Sequence, residues 1–108
     1  MKIITLASGS KGNATYIETK NTKILIDAGI SFLQLKNRLA QRGIVLNNID
    51  VILLTHEHTD HIKHLSSIAL KTKAKIFMSE ITYPEAFRRL SGSLTNLDVS
   101  FIKENNKF

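Results

Sequence analysis

All four histidines of this 108-residue chain fall between positions 56 and 64, in Thr55-His56-Glu57-His58-Thr59-Asp60-His61-Ile62-Lys63-His64. Neutral imidazoles and a carboxylate are ligands for zinc, manganese or iron. In an extended segment alternate side chains point the same way, so His56 and His58 can face one ion while Glu57 points elsewhere. Asp60 and His61 follow as the chain bends towards a helix and can face a second ion. Two divalent ions about 3.5–4 Å apart would activate a bridging hydroxide and stabilise both oxygens of a displacement at phosphorus. His64, three residues beyond His61, reads as a surface or supporting group rather than a ligand. The spacing is not the helical His-Glu-x-x-His pattern, and with no cysteine in the chain thiolate sites and disulfides are excluded.

The elements that must position this cluster are legible around it. Ile49-Asp50-Val51-Ile52-Leu53-Leu54-Thr55 is a mostly continuous apolar run, the pattern of a strand covered on both faces, and it delivers the histidines from its end. Lys2–Ala7 reads as a first strand, followed by the turn-rich Ser8-Gly9-Ser10-Lys11-Gly12-Asn13. Ala14–Glu18 and Lys23–Asp27 read as a hairpin across Thr19–Thr22. Ser31 and Gln34 form a capping box for a helix with Phe32, Leu35, Leu39 and Ala40 on its apolar stripe, closed by Gly43. A second helix is expected over Asp60–Leu70, carrying Ile62, Leu65, Ile68 and Ala69. A strand over Lys75–Met78 follows. Thr82 and Glu85 then offer another capping box with Pro84 in the first turn, and Val99–Ile102 is a last strand before a hairpin turn at 103–107. Strands alternating with helices predict an α/β fold with a mixed sheet, since the first three strands are joined tightly.

Composition bounds the rest. The length suits one domain, 43% hydrophobic content suits a folded chain, and no apolar run is long enough to span a membrane. The apolar part of Met1–Ala7 is too short for a signal peptide, which gives a cytoplasmic expectation. Fifteen basic against nine acidic residues leave a net charge of +6. That balance is compatible with a polyanionic partner, but the lysines are scattered and read first as a solubilising surface.

His56-x-His58-x-Asp60-His61 after a hydrophobic strand resembles the signature of the metallo-β-lactamase-like hydrolase superfamily. Leu6-Ala7-Ser8-Gly9-Ser10-Lys11-Gly12-Asn13-Ala14-Thr15-Tyr16 resembles the opening of a narrower bacterial branch, the YycJ/WalJ-type proteins. The resemblance implies a four-layer αββα sandwich, of which this chain matches the N-terminal part. It implies two divalent ions, with His56 and His58 on the first and Asp60 and His61 on the second. Asp60 is then also the candidate catalytic carboxylate. Asp27, in Leu25-Ile26-Asp27-Ala28-Gly29, matches an early aspartate that supports the site from behind the ligands; the alternative is a plain turn residue before Gly29. Ser8 and Ser10 are expected to position substrate or brace their loop, while Gly9, Gly12 and Asn13 read as a tight turn rather than a phosphate-binding loop.

The implied activity is phosphodiester hydrolysis on DNA, as a 5′-to-3′ exonuclease, with small-molecule thioester, lactone or β-lactam hydrolysis as the alternative and a non-catalytic, self-associating fragment as a third reading. Family members carry further histidine and aspartate ligands, and no histidine follows His64 here. The chain is therefore expected to be one incomplete domain over residues 1–108, with weakly bound or absent metal and little turnover. An uncovered apolar sheet face is expected to drive formation of a homodimer or higher self-association.

Overall fold

Short β-branched and aliphatic runs pair into a six-stranded sheet in which sequence order is also spatial order. The computed structural model describes residues 1–9, 12–55, 62–79, 82–89 and 97–102. Strands β1 (Lys2–Ala7), β2 (Ala14–Glu18) and β3 (Lys23–Ile26) form an antiparallel meander. Strands β4 (Val51–Leu53), β5 (Lys75–Ser79) and β6 (Val99–Ile102) then continue the sheet in parallel with β3. Helices α1 (Phe32–Ala40), α2 (Leu65–Thr72) and α3 (Thr82–Arg89) lie along the three crossovers. The mixed α/β sheet with flanking helices is the one expected.

The direction of these crossovers decides where the core sits. Parallel β-α-β connections are right-handed, and here each one steps in the same direction along the sheet. All three helices therefore collect on one face. Burial alternates accordingly. The ladder Ile4, Tyr16, Leu25, Ile52, Ile76, Val99 runs across all six strands, and its four central residues are fully buried against the helices. The opposite ladders, Ile3–Ile17–Ile24–Val51 and Thr15–Ile26–Leu53–Phe77, are apolar too, yet none of these residues is buried and Ile3 is 62% exposed. One face of this sheet is a core and the other is an apolar surface.

The helices are specified locally. Ser31 Oγ accepts from the Gln34 amide at 3.1 Å and Gln34 Oε1 accepts from the Ser31 amide at 3.1 Å, which completes the expected capping box. Leu35 and Leu39 are fully buried, whereas Ala40 is exposed. Gly43 ends the segment at φ 75°, with Gly43 N donating to Ala40 O and Ile44 N to Leu39 O, the paired bonds of a Schellman closure.

Three boundaries differ from expectation. The strand expected over Ile49–Thr55 narrows to Val51–Leu53, because Asp50 turns its carboxylate to the Lys23 amide at 2.8 Å. β3 stops one residue early, because Asp27 adopts φ 65°. The second helix runs on to Thr72 beyond Leu70, and its expected first turn is interrupted: Ile62 is helical, Lys63 and His64 form a turn, and the helix resumes at Leu65. The His64 amide donates to Ala28 O at 2.9 Å and so is not available to an intrahelical acceptor, leaving Lys63 and His64 as a turn. Asp60, the Thr82 and Glu85 side chains of the second capping box and the 103–107 turn lie outside the described residues. Among the described residues no helix is long and apolar enough to cross a membrane.

Ile52 sits at the centre of the buried ladder. Ile52→Ala is expected to lower the unfolding free energy by about 2–5 kcal/mol in urea titrations, while Leu33→Ala, at a position 66% exposed, stays within about 0.5 kcal/mol.

Candidate functional site

The frame of the histidine segment is built at the carboxyl ends of β3 and β4, the end of an open α/β sheet where ligands bind. Asp27 continues the pairing with its amide, which donates to Leu53 O at 2.8 Å. Its backbone then turns left-handed, a region in which Asp is among the better-tolerated residues. That turn carries the carboxylate across to the next strand. Oδ1 accepts from the Thr55 amide at 2.8 Å and Oδ2 from the Thr55 hydroxyl at 2.7 Å. Asp27 is 6% exposed, and a buried carboxylate of this kind is stable only when its oxygens are hydrogen-bonded. Thr55 immediately precedes His56, so the last described residue before the histidines is fixed by two bonds to one side chain.

The other end of the segment returns to the same turn. Ile62 is buried to 1% exposure, and the His64 amide donates to Ala28 O. Residues 55 and 64 are therefore both tied to the Asp27–Ala28 turn.

A second loop closes beside it. Asn13 Oδ1 accepts from the Gly9 amide at 3.2 Å and Asn13 Nδ2 donates to Gly9 O at 3.0 Å, cinching the turn between β1 and β2 as expected. Gly12 has a positive φ of 153°, and a Cβ there would lie 2.5 Å from Gly29 O. The absence of a side chain lets this loop press against the turn that carries Asp27, where Gly29 N donates to Asn13 O at 2.9 Å.

Between the β1–β2 loop, α1 and the start of α2 lies a cleft of about 690 Å³. Ser8 lies on its rim, Gln34 and Arg38 reach it from α1, and Lys63 and His64 reach it from the turn before α2. Arg38 donates through Nη1 to the Leu6 carbonyl, which fixes the guanidinium at the cleft wall. Burial, followed by the neighbouring Lys63 charge, pushes the His64 imidazole below the usual histidine pKa. His64 is half-buried, caps α2 by position without a side-chain bond and faces the cleft. Arg38, Gln34 and Lys63 were not singled out from sequence as cleft residues. The signal for the first two was their i, i+4 spacing, which puts both on one side of the helix.

Of the residues expected at the site, Asp27 and Ser8 are placed by the structure. His56, His58, Asp60, His61 and Ser10 lie outside the described residues. Among the described residues no three His, Asp or Glu side chains converge on a point that could hold a metal.

Comparison with known proteins supplies the wider context. The family model described as the metallo-β-lactamase superfamily matches residues 7–105. The chain is 39% identical over 97 residues to exodeoxyribonuclease YycJ of Bacillus anthracis, covering 90% of this chain and 36% of that protein. It is 41% identical over 78 residues to exodeoxyribonuclease WalJ of Streptococcus pneumoniae serotype 2, covering 72% of this chain and 29% of that one. It thus spans about a third of the length of these relatives. A metallo-β-lactamase structure from Cronobacter sakazakii superposes with a TM-score of 0.75 at 19% identity, over 98% of this chain and 46% of that one. At that identity the likeness is one of fold.

The Asp27 clamp has a measurable signature. Asp27→Ala is expected to destabilise the chain by about 2–4 kcal/mol in urea unfolding, because the Thr55 amide and hydroxyl lose charge-assisted acceptors. Asp27→Asn, which tolerates the same backbone and keeps one acceptor oxygen, should cost less than half as much. Equal losses for the two variants would show that the carboxylate's hold on Thr55 is not what matters.

Proposed function

Because the chain belongs to the metallo-β-lactamase superfamily, we propose that it is part of a metal-dependent hydrolase that cleaves phosphodiester bonds in DNA, in the manner of a 5′-to-3′ exonuclease. The observation that carries this reading is the pair of anchors at Thr55 and His64. In sequence they bracket a His-x-His-x-Asp-His motif, in a chain about 40% identical to two exodeoxyribonucleases. The donor set fits divalent zinc, manganese or iron, since it offers neutral imidazoles and a carboxylate and no thiolate. In this reading His56 and His58 hold one ion and Asp60 and His61 the other. Asp60 also serves as the catalytic carboxylate. When bound, such a pair of ions supplies positive charge to the phosphoryl oxygens and lowers the pKa of a water.

The chain's own contribution is orientation. Asp27 fixes Thr55 and through it the start of the ligand segment, Ala28 fixes the far end, and Ser8 and Ser10 brace or position substrate from the neighbouring loop. Small-molecule hydrolysis of β-lactams, thioesters or lactones is the second reading, favoured by the fold shared with the lactamase structure. The assay that separates them uses the protein encoded by the whole open reading frame, loaded with Mn²⁺ or Zn²⁺. Release of 5′-terminal nucleotides from labelled DNA, abolished by His58→Ala, is expected. Turnover confined to a lactam, thioester or lactone panel would overturn the nuclease reading. The 108-residue chain alone is expected to be inactive and to bind metal weakly, because the implied ligand set includes further histidine and aspartate residues that it does not supply.

The bare sheet face bears on the same reading. Residues 1–108 are proposed to form one sheet layer and its helices, within a domain whose second sheet covers the Ile24–Leu53 side. As an isolated chain it is expected to bury that side against a second copy. Sedimentation equilibrium should show a dimer that Ile24→Lys or Leu53→Glu converts to monomer. A monomer before substitution would rule that association out.

A further inference from the structure

We propose that the crease between α1 and α2, on the outer side of the helical layer, is a docking surface for the phosphate backbone of DNA. The observation behind it is a pair of ammonium groups gathered on one ring. Lys36 Nζ, one turn beyond Phe32 in α1, and Lys71 Nζ, from α2, each lie 5.8 Å from the centroid of the Phe32 ring. The two charges are therefore no farther apart than twice that distance, although thirty-five positions separate them in sequence. An ammonium within about 6 Å of an aromatic face is attracted by the ring. Here one ring draws in two cations, and an anion seated between them relieves their mutual repulsion. Phe32 is half-buried, while both lysines are exposed. Ser67, four positions before Lys71, lies on the same flank of α2 and adds an exposed hydroxyl.

The surroundings carry one sign of charge. Between Asp27 and Asp50 the chain has three basic residues and no acidic one, and from Ile62 to Ser79 it has four basic residues and none acidic. These two stretches contain the whole of α1 and α2, and folding sets them side by side on one face of the sheet. A polyanion is the occupant that such a surface fits. Duplex DNA carries one negative charge per about 1.7 Å of its axis, so neighbouring phosphates are within reach of two lysines this close. An anionic membrane fits worse. Leu35 and Leu39 of α1 and Leu65 and Ile68 of α2 are buried, so the apolar stripes that insertion needs are already used. Contacts of this kind position a duplex without reading its bases. The inference deepens the nuclease reading and takes DNA from it as the polyanion, but the surface includes none of the proposed metal ligands.

The test exploits that independence. Fluorescence anisotropy in EDTA, with the 108-residue chain and a short labelled DNA duplex, measures binding without cleavage. The logarithm of the affinity is expected to fall linearly with the logarithm of salt concentration. Lys36→Gln and Lys71→Gln should each reduce that slope by about 1, the signature of one lost phosphate contact. Both positions are exposed, so the urea midpoint should not move. Phe32→Leu removes the ring and leaves the charges, and should weaken binding about threefold at an unchanged slope. Lys20→Gln, in the exposed β2–β3 turn, removes the same charge elsewhere and should leave the slope as it is. Slopes for Lys36→Gln and Lys71→Gln that match the Lys20→Gln slope would overturn the surface, and so would binding confined to phosphatidylserine vesicles. The nuclease assay of the whole protein keeps the two readings apart. Nuclease activity without duplex binding by this chain removes the surface alone, and duplex binding with the expected slopes but no nuclease activity removes the catalytic reading alone.

Discussion

A buried carboxylate spanning two strand ends is the constraint on which this structure turns. Asp27 is almost wholly withdrawn from water, and its two oxygens are satisfied by the amide and hydroxyl of a single residue, Thr55. Backbone pairing reaches Leu54, whose amide donates to Phe77 O at 2.9 Å, and stops short of Thr55. The side chain extends the pairing beyond the backbone ladder. A mirror device works at the opposite end of the same strand pair, where Asp50 accepts from the Lys23 amide at 2.8 Å. The two aspartates bracket β3 and β4, but their burdens differ. Asp50 is solvent-exposed, so its bond contributes little net stability, whereas the Asp27 carboxylate is buried and its bonds to Thr55 are partly so, which makes breaking them more costly.

That difference matters at the two points where the chain enters and leaves residues 56–61. Side chains on loops are less well positioned than those on strands and helices unless the loop's ends are rigid. Here both ends of the histidine segment close on one turn, Thr55 on the Asp27 side chain and His64 on the Ala28 carbonyl. The turn in turn is packed against a glycine whose missing side chain permits a backbone approach that any Cβ would block. Sequence-distant pieces, residues 12, 27–29, 55 and 64, thus form one small rigid body.

How much of this could be read from the residues depended on range. The hairpin, the Ser31–Gln34 cap, the Gly43 stop and the buried faces of Leu35 and Ile68 all arise from neighbours a few positions apart, so periodicity and capping rules found them. The α/β class and the superfamily likewise followed from the order of elements and one compact motif. The missed boundaries have a common cause. The turn before Leu65 is set by the His64 amide's bond to Ala28 O, thirty-six positions away in sequence, and the late start of β4 by Asp50 facing Lys23. No local pattern encodes an acceptor supplied by another strand. For the same reason Gln34 was legible as a cap while its place beside Arg38 on the cleft was not, since the cleft exists only once β1 lies next to α1.

The continuous apolar run before the histidines illustrates the same point from the other side. Its pattern predicts a strand covered on both faces, yet in this chain only Ile52 is fully covered among Val51, Ile52 and Leu53. Val51 and Leu53 face the bare side with Ile24 and Ile26. Apolar residues were thus selected for a face that the described residues leave uncovered. Three right-handed crossovers stepping one way along a sheet can populate only one of its sides, so no rearrangement of these helices would cover the second. The need for another apolar layer is therefore a property of the strand order itself, written into which residues of β3 and β4 alternate. The clamp at Asp27 lies at the end of those same strands. A layer seated on the Ile24–Leu53 face would lie beside the strand ends where Asp27 holds Thr55, so covering that face and fixing that turn are coupled.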